Sequence, residues 1–438
     1  MILVGLGIRL VLSPITAHPS DMLGWFRWTQ LLGTGVFAPT YYPPYPLGYV
    51  LWPFATLYNL LQQVYNISPL PMSAVPAALR LPQVWGVSEV PPPLFDLLIK
   101  LPFIISDVAV ALLLYEFVTG LTGSATYALR ASTLWFLNPI TIWVTSGWGM
   151  FDSLPALFTV VTLVLIQRNK ALLAGIALVI AFAFKLYPVL FVVPIAAFQF
   201  HRGGIDQKVS SRVVFFLGAL GTTLVFYIPY TSQAASYLGG AALSKDFFYL
   251  PSLPSGYGLT YWSLSTLSTS IGNLVWISTV VVVVLQAVTY VIFLRRGPIA
   301  IEQLVEIMLA VILALFLGFR FIGANFVVWI IPLMAILVST KRLSIRLFWA
   351  ISFLAFLFSI TDSLLPYYFL PLSPWIGNFL ASSIQIAQPY RIMASGTFQP
   401  GLSVGTAVIC GIALVSSVLF ALVYSSLAHG RESEREHA

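Results

Sequence analysis

Residues 171–200 read ALLAGIALVIAFAFKLYPVLFVVPIAAFQF, an apolar run in which Lys185 is the sole charged residue. Basic residues flank this run on both sides, at 168–170 and 201–202. Because basic flanks favour the cytoplasmic face, the run has to leave that face and return to it. Each leg of about 14 residues is shorter than the roughly 20 that cross a bilayer. We therefore expect the turn at Lys185 to Pro188 to lie in a polar cavity below the outer surface, where helix-breaking backbone is tolerated.

The composition of the whole chain is that of a polytopic membrane protein. Hydrophobic residues make up 59% of the 438 residues and charged residues 8%, whereas soluble domains carry roughly 25% charged residues. The one cysteine, Cys410, cannot form an internal disulfide. The composition and motifs predict an all-α fold with about twelve transmembrane helices and no nucleic-acid partner. The predicted spans are 1–17, 98–118, 129–146, 152–166, 171–184, 188–200, 213–229, 272–294, 301–318, 325–340, 346–361 and 402–427.

Alternation from a cytoplasmic N-terminus concentrates the basic residues in the cytoplasmic loops and tail, as the positive-inside rule requires. The large outer loops are then 18–97, 230–271 and 362–401. Residues 47–66 are apolar enough to resemble a span. We interpret them as a helix lying in the outer membrane interface, because a further span here would move every later motif to the opposite face.

The first outer loop contains the first acidic residue of the chain, Asp21. A carboxylate at the membrane surface can act as a general base on a hydroxyl group. The structural alternative is that Asp21 caps a helix, since Ser and Asp before an apolar run are typical N-caps. The aromatic residues of the loop either stack on a sugar or form an interfacial belt; they are Trp25, Trp28, Tyr41 and Tyr42.

Two charges open the second predicted span, and charges within spans often mark function. Lys100 is a candidate ligand for a phosphate, although a lysine here can also extend its ammonium to the lipid headgroups. Asp107 lies two turns deeper and needs a partner. For Asp107 a structural ion pair is favoured over catalysis.

The stretch Gly147–Ser153, GWGMFDS, predicts a tight outer turn between two spans. Glycines at such a turn let the backbone approach a ligand closely. Trp148 is a candidate for stacking on a sugar. Asp152 either binds sugar hydroxyls or caps the helix that follows.

Two further outer ends carry cations that suit a phosphate. Lys185 is the first, with an ion pair to Asp152 or Asp107 as its alternative role. Arg320 is the second, because its guanidinium presents a planar fork. Tyr187 and Asn325, which lie near these cations in the sequence, are candidates for contacts with the sugar or the acceptor.

Taken in order, these residues resemble the GT-C superfamily of integral-membrane glycosyltransferases, which use polyprenyl-phosphate sugars. The pattern looks closest to the mannosyltransferases that add the first mannose in GPI assembly, and it is similar to the glucosyltransferases of N-glycosylation. The motifs that carry the resemblance are Asp21, Tyr42-Pro43-Pro44, Lys100-Leu101-Pro102 with Asp107, Asn138-Pro139, the stretch 147–153, Phe184-Lys185-Leu186-Tyr187-Pro188, and Asn325 with Trp329 and Pro332.

The resemblance implies a GT-C catalytic module at 1–340, whose first outer loop, 18–97, supplies Asp21 as catalytic base. Additional C-terminal helices and an outer loop would follow at 341–430, and a disordered cytoplasmic tail at 431–438. The family often has a pair of carboxylates where this chain has Asp21 alone. No cofactor is certain, and a divalent cation (Mg²⁺ or Mn²⁺) stays open.

The implied reaction is an inverting transfer of a hexose, by resemblance mannose, from a polyprenyl- or dolichyl-phosphate donor to a lipid-linked or glycan acceptor. Lys185, Arg320 and Lys100 would hold the donor phosphate on the non-cytoplasmic face, among membrane lipids. The membrane would be that of a prokaryotic cell, with an archaeon favoured, or of the endoplasmic reticulum. A transporter or flippase of a lipid-linked sugar is the main alternative, because broken helices suit transporters too. A non-catalytic subunit of a glycosylation complex is another.

Overall fold

The computed structural model describes residues 1–33, 45–80, 87–201, 205–227, 259–260, 275–296, 300–319, 322–362, 365–387 and 404–429. These residues form an all-α protein, as predicted, with one two-stranded antiparallel pairing between β1 (Leu70–Pro71) and β2 (Glu89–Val90). The α-helices are α1 (Ile2–Ile15), α2 (Pro19–Gly33), α3 (Tyr45–Tyr65), α4 (Pro93–Thr122), α5 (Ala125–Phe136), α6 (Pro139–Ile142), α7 (Ser153–Gln167), α8 (Ala171–Phe184), α9 (Val192–His201), α10 (Ile205–Tyr227), α11 (Val275–Arg296), α12 (Ile301–Gly318), α13 (Ile331–Ser339), α14 (Ile345–Asp362), α15 (Leu365–Tyr368), α16 (Ser373–Ala387) and α17 (Val404–His429).

Shorter helical turns complete the described chain. A π-helix, Trp143–Trp148, continues from α6. The 3-10 helices are Met72–Ala74, Ala77–Leu79, Tyr187–Phe191, Ala324–Trp329 and Leu370–Leu372. Each predicted span overlaps a helix, but the number of spans is not confirmed.

Three helical segments in the described part are long and apolar enough to cross a membrane: Pro93–Thr122, Ile301–Gly318 and Val408–Ala428. The bent pair α1 and α2 makes a fourth if it counts as one span, and the other apolar helices of 10–17 residues are shorter than a full crossing. α3, the helix predicted to lie in the interface, is not among the candidates. The chain is therefore a membrane protein whose bundle contains several short or broken helices.

The junction between α1 and α2 shapes one end of the bundle. The two helices meet at 81°, so α2 runs across the direction of α1. α2 begins at Pro19, and proline is favoured in the first turn of a helix because its missing N–H would have no partner there. Asp21 sits in this first turn, where a negative charge complements the helix dipole. It lies inside the helix rather than at the predicted cap.

The apolar run 171–200 is broken at the predicted residue. α8 ends at Phe184, and Lys185 adopts an extended conformation (φ −148°, ψ 146°) before the 3-10 helix Tyr187–Phe191. α8 packs against α7 and α10, whereas α9 packs against α10, α11 and α12. The break brings the side chain of Lys185 to the centre of the site described below.

Asp107 has the ion-pair partner that its depth requires. Arg9 Nε lies 2.8 Å from Asp107 Oδ2, and both side chains are fully buried. Thr145 Oγ1 donates to the same oxygen over 2.8 Å, and Arg9 also donates to the carbonyl of Phe136 over 2.8 Å. The pair joins α1, α4 and the π-helix in the interior, which confirms the structural reading of Asp107.

The C-terminal helices pack onto the rest of the bundle. α17 lies against α12 and α14, and the 3-10 helix Leu370–Leu372 contacts α1. The backbone N–H of Ala17 donates to the carbonyl of Tyr368 over 2.7 Å. Residues after 340 therefore reach the α1–α2 junction. The predicted tail, 431–438, and most of the predicted outer loop 230–271 lie outside the described residues.

Candidate active site

Asp21 is held by two side chains on one of its carboxylate oxygens. The indole Nε1 of Trp148 donates to Oδ2 over 2.6 Å, and Nδ1 of His18 lies 2.8 Å from the same oxygen. In the part of the chain that the structure describes, Oδ1 accepts no hydrogen bond. The side chain of Asp21 is 29% exposed. One carboxylate oxygen is therefore left for a hydroxyl group that enters the site.

The surroundings of Asp21 keep it ionised. Burial works to raise its pKa, but the neighbouring His18 and the hydrogen bonds from His18 and Trp148 outweigh burial. Lys185 acts in the same direction, so the pKa of Asp21 lies below its ordinary value. The carboxylate is accordingly a proton acceptor across the neutral pH range.

The π-helix and the glycine that follows it bring Trp148 to Asp21. Gly149 has φ +94°, in the left-handed region that favours glycine. A Cβ at this position would overlap Sδ of Met22 and lie 3.0 Å from Cε of Lys100. The carbonyl of Gly149 accepts the indole N–H of Trp25 over 3.0 Å. The turn predicted from GWGMFDS is therefore packed closely against both α2 and α4.

The structure corrects the assignment of Lys100 to the donor phosphate. Its side chain is fully buried, and the ammonium donates to the carbonyls of Ser13 (3.0 Å), Thr16 and Ser146 (3.1 Å). An ammonium has three protons, and the three carbonyls accept all of them, so none is left for a phosphate. Ser13 and Thr16 lie at the end of α1, where carbonyls lack helical partners. Lys100 therefore fastens the end of α1 to the π-helix.

Lys185 is the cation that remains near Asp21. Its side chain is 13% exposed, and Nζ lies 3.5 Å from Oδ1 of Asp152. Nζ also lies over the rings of Phe151 (4.6 Å), Phe326 (5.3 Å) and Trp329 (5.9 Å). Aromatic faces attract a cation without using its hydrogen-bonding protons. Lys185 can therefore still donate to a phosphate oxygen.

Phe151 connects the two halves of the site. Its ring packs edge-on against Trp25 at 5.8 Å, and its face lies 4.6 Å from the ammonium of Lys185. Trp25 is 2% exposed and Phe151 is fully buried. Asp21 and Lys185 thus flank one continuous aromatic wall.

Asp152 is a buried structural anion, which corrects the prediction that it binds sugar hydroxyls. Its carboxylate is fully buried and accepts from Asn325 Nδ2 (2.9 Å) and Trp329 Nε1 (2.7 Å). It does not cap α7 through its side chain either. Its ion pair with Lys185 is the alternative that the sequence left open. Asn325 is 5% exposed, and its amide group donates to Asp152. Asn325 therefore holds Asp152 in place rather than contacting the sugar or the acceptor.

Three residues that were predicted to contact the sugar or the acceptor are part of the protein interior. Tyr187 is 3% exposed, and its ring stacks on that of Trp329 at 4.3 Å. Trp25 and Trp28 are 2% and 7% exposed. Their faces are covered by protein, so the prediction that they stack on a sugar is wrong for this structure. Trp148 is the predicted aromatic residue that remains partly exposed beside Asp21.

Three predicted site residues, Arg320, Tyr41 and Tyr42, lie outside the described residues. Two contributors were missed. His18 was assigned no role, although its spacing of three residues before Asp21 is the signal that links them. Tyr368 packs on His18 at 5.6 Å and on Trp143 at 4.8 Å; no local pattern in the sequence points to it.

The donor set beside Asp21 falls short of a divalent-cation site. Among the described residues, no group of three or more His, Cys, Asp or Glu side chains could hold a metal ion. His18 and Lys185 place positive charge or ring N–H next to the carboxylate, whereas Mg²⁺ and Mn²⁺ prefer several oxygen ligands.

Comparison with known proteins finds one family model and two proteins that this chain resembles, and all three are named for GPI. The family model that matches is described as GPI transamidase subunit PIG-U, and it covers residues 57–273. That range includes Trp148, Asp152 and Lys185 but begins after Asp21.

Two similar proteins have the same printed name, GPI mannosyltransferase 1. The protein of Saccharomyces cerevisiae is 29% identical over 128 residues, which cover 28% of this chain and 31% of that protein. The protein of Kluyveromyces lactis is 21% identical over 177 residues, 40% of this chain and 42% of that protein. The chain therefore matches less than half of the length of either relative.

Proposed function

We propose that this protein transfers a mannose from a polyprenyl-phosphate donor to a glycolipid or glycan acceptor on the non-cytoplasmic face of its membrane. The observation that carries the proposal is the carboxylate of Asp21, fixed through Oδ2 and open at Oδ1. A fixed, ionised carboxylate at an outer membrane surface suits the deprotonation of a hydroxyl. The printed names of the two relatives supply the sugar.

The chemical step is a single displacement at the anomeric carbon of the donor sugar. Oδ1 of Asp21 takes the proton of the acceptor hydroxyl while that oxygen bonds to the anomeric carbon. The bond from this carbon to the phosphate oxygen breaks, and its electron pair leaves on the phosphate. Attack from the face opposite the leaving group inverts the configuration. No nucleotide or redox partner is required.

Lys185 acts on the leaving group in this proposal. Negative charge grows on the phosphate as the sugar departs, and a preorganised cation stabilises such charge most in a site with little water. Lys185 follows the end of α8, and Asp152 and the aromatic rings around Nζ hold its ammonium in place there. Arg320, outside the described residues, is proposed as a second phosphate ligand. The prenyl chain would lie in the membrane beside the bundle.

A non-catalytic role is the second candidate, because the matching family is named for a subunit of GPI transamidase. Its match leaves out residues 1–56, which contain Asp21. The side chain of Asp21 is 29% exposed, and its Oδ1 accepts no hydrogen bond from the described residues, which favours catalysis. Transport of a lipid-linked sugar is the third candidate.

The test is sugar transfer in membranes that contain the wild-type protein, Asp21→Asn or Glu116→Gln. Glu116 is a matched control because it is an exposed carboxylate paired with Arg168. Labelled polyprenyl-phosphate-mannose and polyprenyl-phosphate-glucose are supplied separately with a glycolipid extract, with and without EDTA. We expect EDTA-resistant transfer of mannose by wild type and Glu116→Gln, and at least a 100-fold loss in Asp21→Asn.

Equal transfer by Asp21→Asn would exclude Asp21 as the base. Movement of the intact donor across the bilayer without transfer would favour the flippase. Restoration of transamidase assembly by Asp21→Asn, without transfer by any variant, would favour the subunit.

A further inference from the structure

His18 lies between α1 and α2, three residues before Asp21, and its imidazole is the nearest titratable group to that carboxylate. Nδ1 is 2.8 Å from Asp21 Oδ2, and the His18 side chain is 14% exposed. An ionised carboxylate has no proton to donate. The backbone N–H of Asp21 also lies 3.4 Å from Nδ1, but the contact with Oδ2 is the shorter one, and its 2.8 Å separation requires the proton on Nδ1, which donates to Oδ2.

Two distant parts of the chain, at Trp148 and at Tyr368, fix the position of this imidazole. The backbone N–H of His18 donates to the carbonyl of Trp148 over 3.1 Å. Its ring lies 5.1 Å from the ring of Trp148 and 5.6 Å from that of Tyr368. Ala17, the preceding residue, is tied to the carbonyl of Tyr368. The ring therefore cannot turn freely, and its Nδ1 stays directed at Asp21.

Both donors to Asp21 converge on the same oxygen. Trp148 Nε1 reaches Oδ2 over 2.6 Å, and His18 Nδ1 reaches it over 2.8 Å. Two donors on one oxygen restrict rotation of the carboxylate about its last side-chain bond, which is otherwise broad. The second oxygen, Oδ1, is then presented in one orientation.

We propose that His18 is a positioning residue, whose Nδ1–H holds the carboxylate of Asp21 so that Oδ1 meets the acceptor hydroxyl. His18 does not itself take the proton of that hydroxyl. The proposal rests on the proposed function insofar as Asp21 is the base. It adds a residue that neither the family match nor the motifs of the resemblance include, since the match begins at residue 57.

Three substitutions at this position separate the two ring nitrogens. His18→Asn carries an amide N–H close to the place of Nδ1 and cannot titrate. His18→Gln carries its amide close to the place of Nε2, beyond reach of Oδ2. His18→Ala removes both. If Nδ1–H positions Asp21, asparagine rescues the reaction and glutamine does not.

The first measurement is the kinetics of mannose transfer with the purified full-length protein. Misplacement of a catalytic group by about 1 Å can cost about 100-fold in rate. We expect His18→Ala and His18→Gln to lower kcat about 10- to 100-fold with the donor KM within about twofold of wild type. His18→Asn should recover kcat to within about fivefold. A full loss in His18→Asn together with activity in His18→Gln would overturn the proposal, because Nε2 would then be the functional atom.

A second measurement reports the geometry without any transfer. The indole N–H of Trp148 gives a ¹H–¹⁵N resonance, identified by its disappearance in Trp148→Phe. We expect this resonance to move in His18→Ala and to stay near its wild-type position in His18→Asn. An unchanged resonance in His18→Ala would overturn the positioning role. If the wild-type protein transfers no sugar, the proposed function fails, while the resonance still decides whether His18 orients Asp21.

Discussion

The indole N–H of Trp148 and the carboxylate of Asp21 meet at 2.6 Å across 127 residues of sequence. This contact joins the start of α2 to the end of the π-helix, two segments whose motifs were identified separately. The partly exposed Trp148 therefore helps to fix the orientation of the carboxylate.

Loss of this hydrogen bond should slow the reaction more than it unfolds the protein. Trp148→Phe keeps an aromatic ring but removes the donor, and a hydrogen bond to a charged group is worth about 1.5–3 kcal/mol. We expect kcat for mannose transfer to fall about 10- to 100-fold. Trp143→Phe is the matched control, because the indole N–H of Trp143 has no partner among the described residues. Equal losses in the two variants would contradict the role of Trp148.

The pH profile of transfer should reflect the lowered pKa of Asp21. A base with a pKa below its ordinary value of 3.8 stays deprotonated as the pH falls through the neutral range. Protonation of Asp21 should therefore cause no loss of kcat/KM between pH 8 and about pH 5. In Trp148→Phe one stabilising donor is gone, so the acidic limb should move to higher pH. A limb that does not move would contradict the assignment of the base.

Lys185 should act on the donor phosphate rather than on folding alone. Lys185→Met should raise the KM for the polyprenyl-phosphate donor and lower kcat, and Lys185→Arg should keep part of the activity because it preserves the charge. Lys170→Met, at an exposed lysine just before α8, serves as the control. Each donor is titrated at saturating acceptor. An unchanged donor KM in Lys185→Met, in protein that unfolds at the wild-type temperature, would remove Lys185 from the phosphate site.

The buried pair of Arg9 and Asp107 should matter for stability and not for the donor. Removing one partner leaves an unpaired buried charge, which costs about 3–5 kcal/mol. We expect Arg9→Met and Asp107→Leu each to lower the unfolding temperature in detergent sharply. The double variant should recover part of the loss, since two apolar side chains can replace a buried pair. Additive losses in the double variant would show that the pair is not coupled.

Gly149 should tolerate no side chain. Its φ of +94° strains any other residue, and a Cβ would overlap Met22. Gly149→Ala should therefore strain the turn after Trp148 and reduce both transfer and thermal stability. Gly7→Ala is the control, because a Cβ at Gly7 meets no atom within 4 Å. Transfer by Gly149→Ala at the wild-type rate would mean that the turn at Gly147–Ser153 is not constrained as described.

The apolar runs predicted most of the helices because a membrane demands long unbroken hydrophobic segments. The break at Lys185 was predicted from the basic residues on both flanks of the apolar run. The need of Asp107 for a partner was predicted from the cost of burying a lone carboxylate. The burial of the side chains around the site could not be predicted in the same way. Trp25, Tyr187 and Asp152 have residue types that suit a sugar site, but long-range packing turns them inward.

Lys100 shows that the contacts of a charged side chain are equally difficult to predict from the sequence. A lysine at the end of a span is equally compatible with a phosphate, a headgroup or a set of carbonyls. The three carbonyls it contacts come from α1 and the π-helix, which are 130 residues apart at Thr16 and Ser146. Only the folded chain brings them together, as it brings Tyr368 to His18.

The Arg9–Asp107 pair also bears on how this chain enters a membrane during synthesis. Arg9 lies in the middle of α1, and an arginine at the centre of a membrane helix opposes insertion by about 2.5–3.5 kcal/mol. Its partner is made 98 residues later. Until Asp107 has been synthesised, α1 carries an uncompensated charge and is not stable when lipids alone surround it. Lateral release of α1 from the insertion machinery should therefore wait for α4, so that the two helices enter the bilayer as a neutral unit.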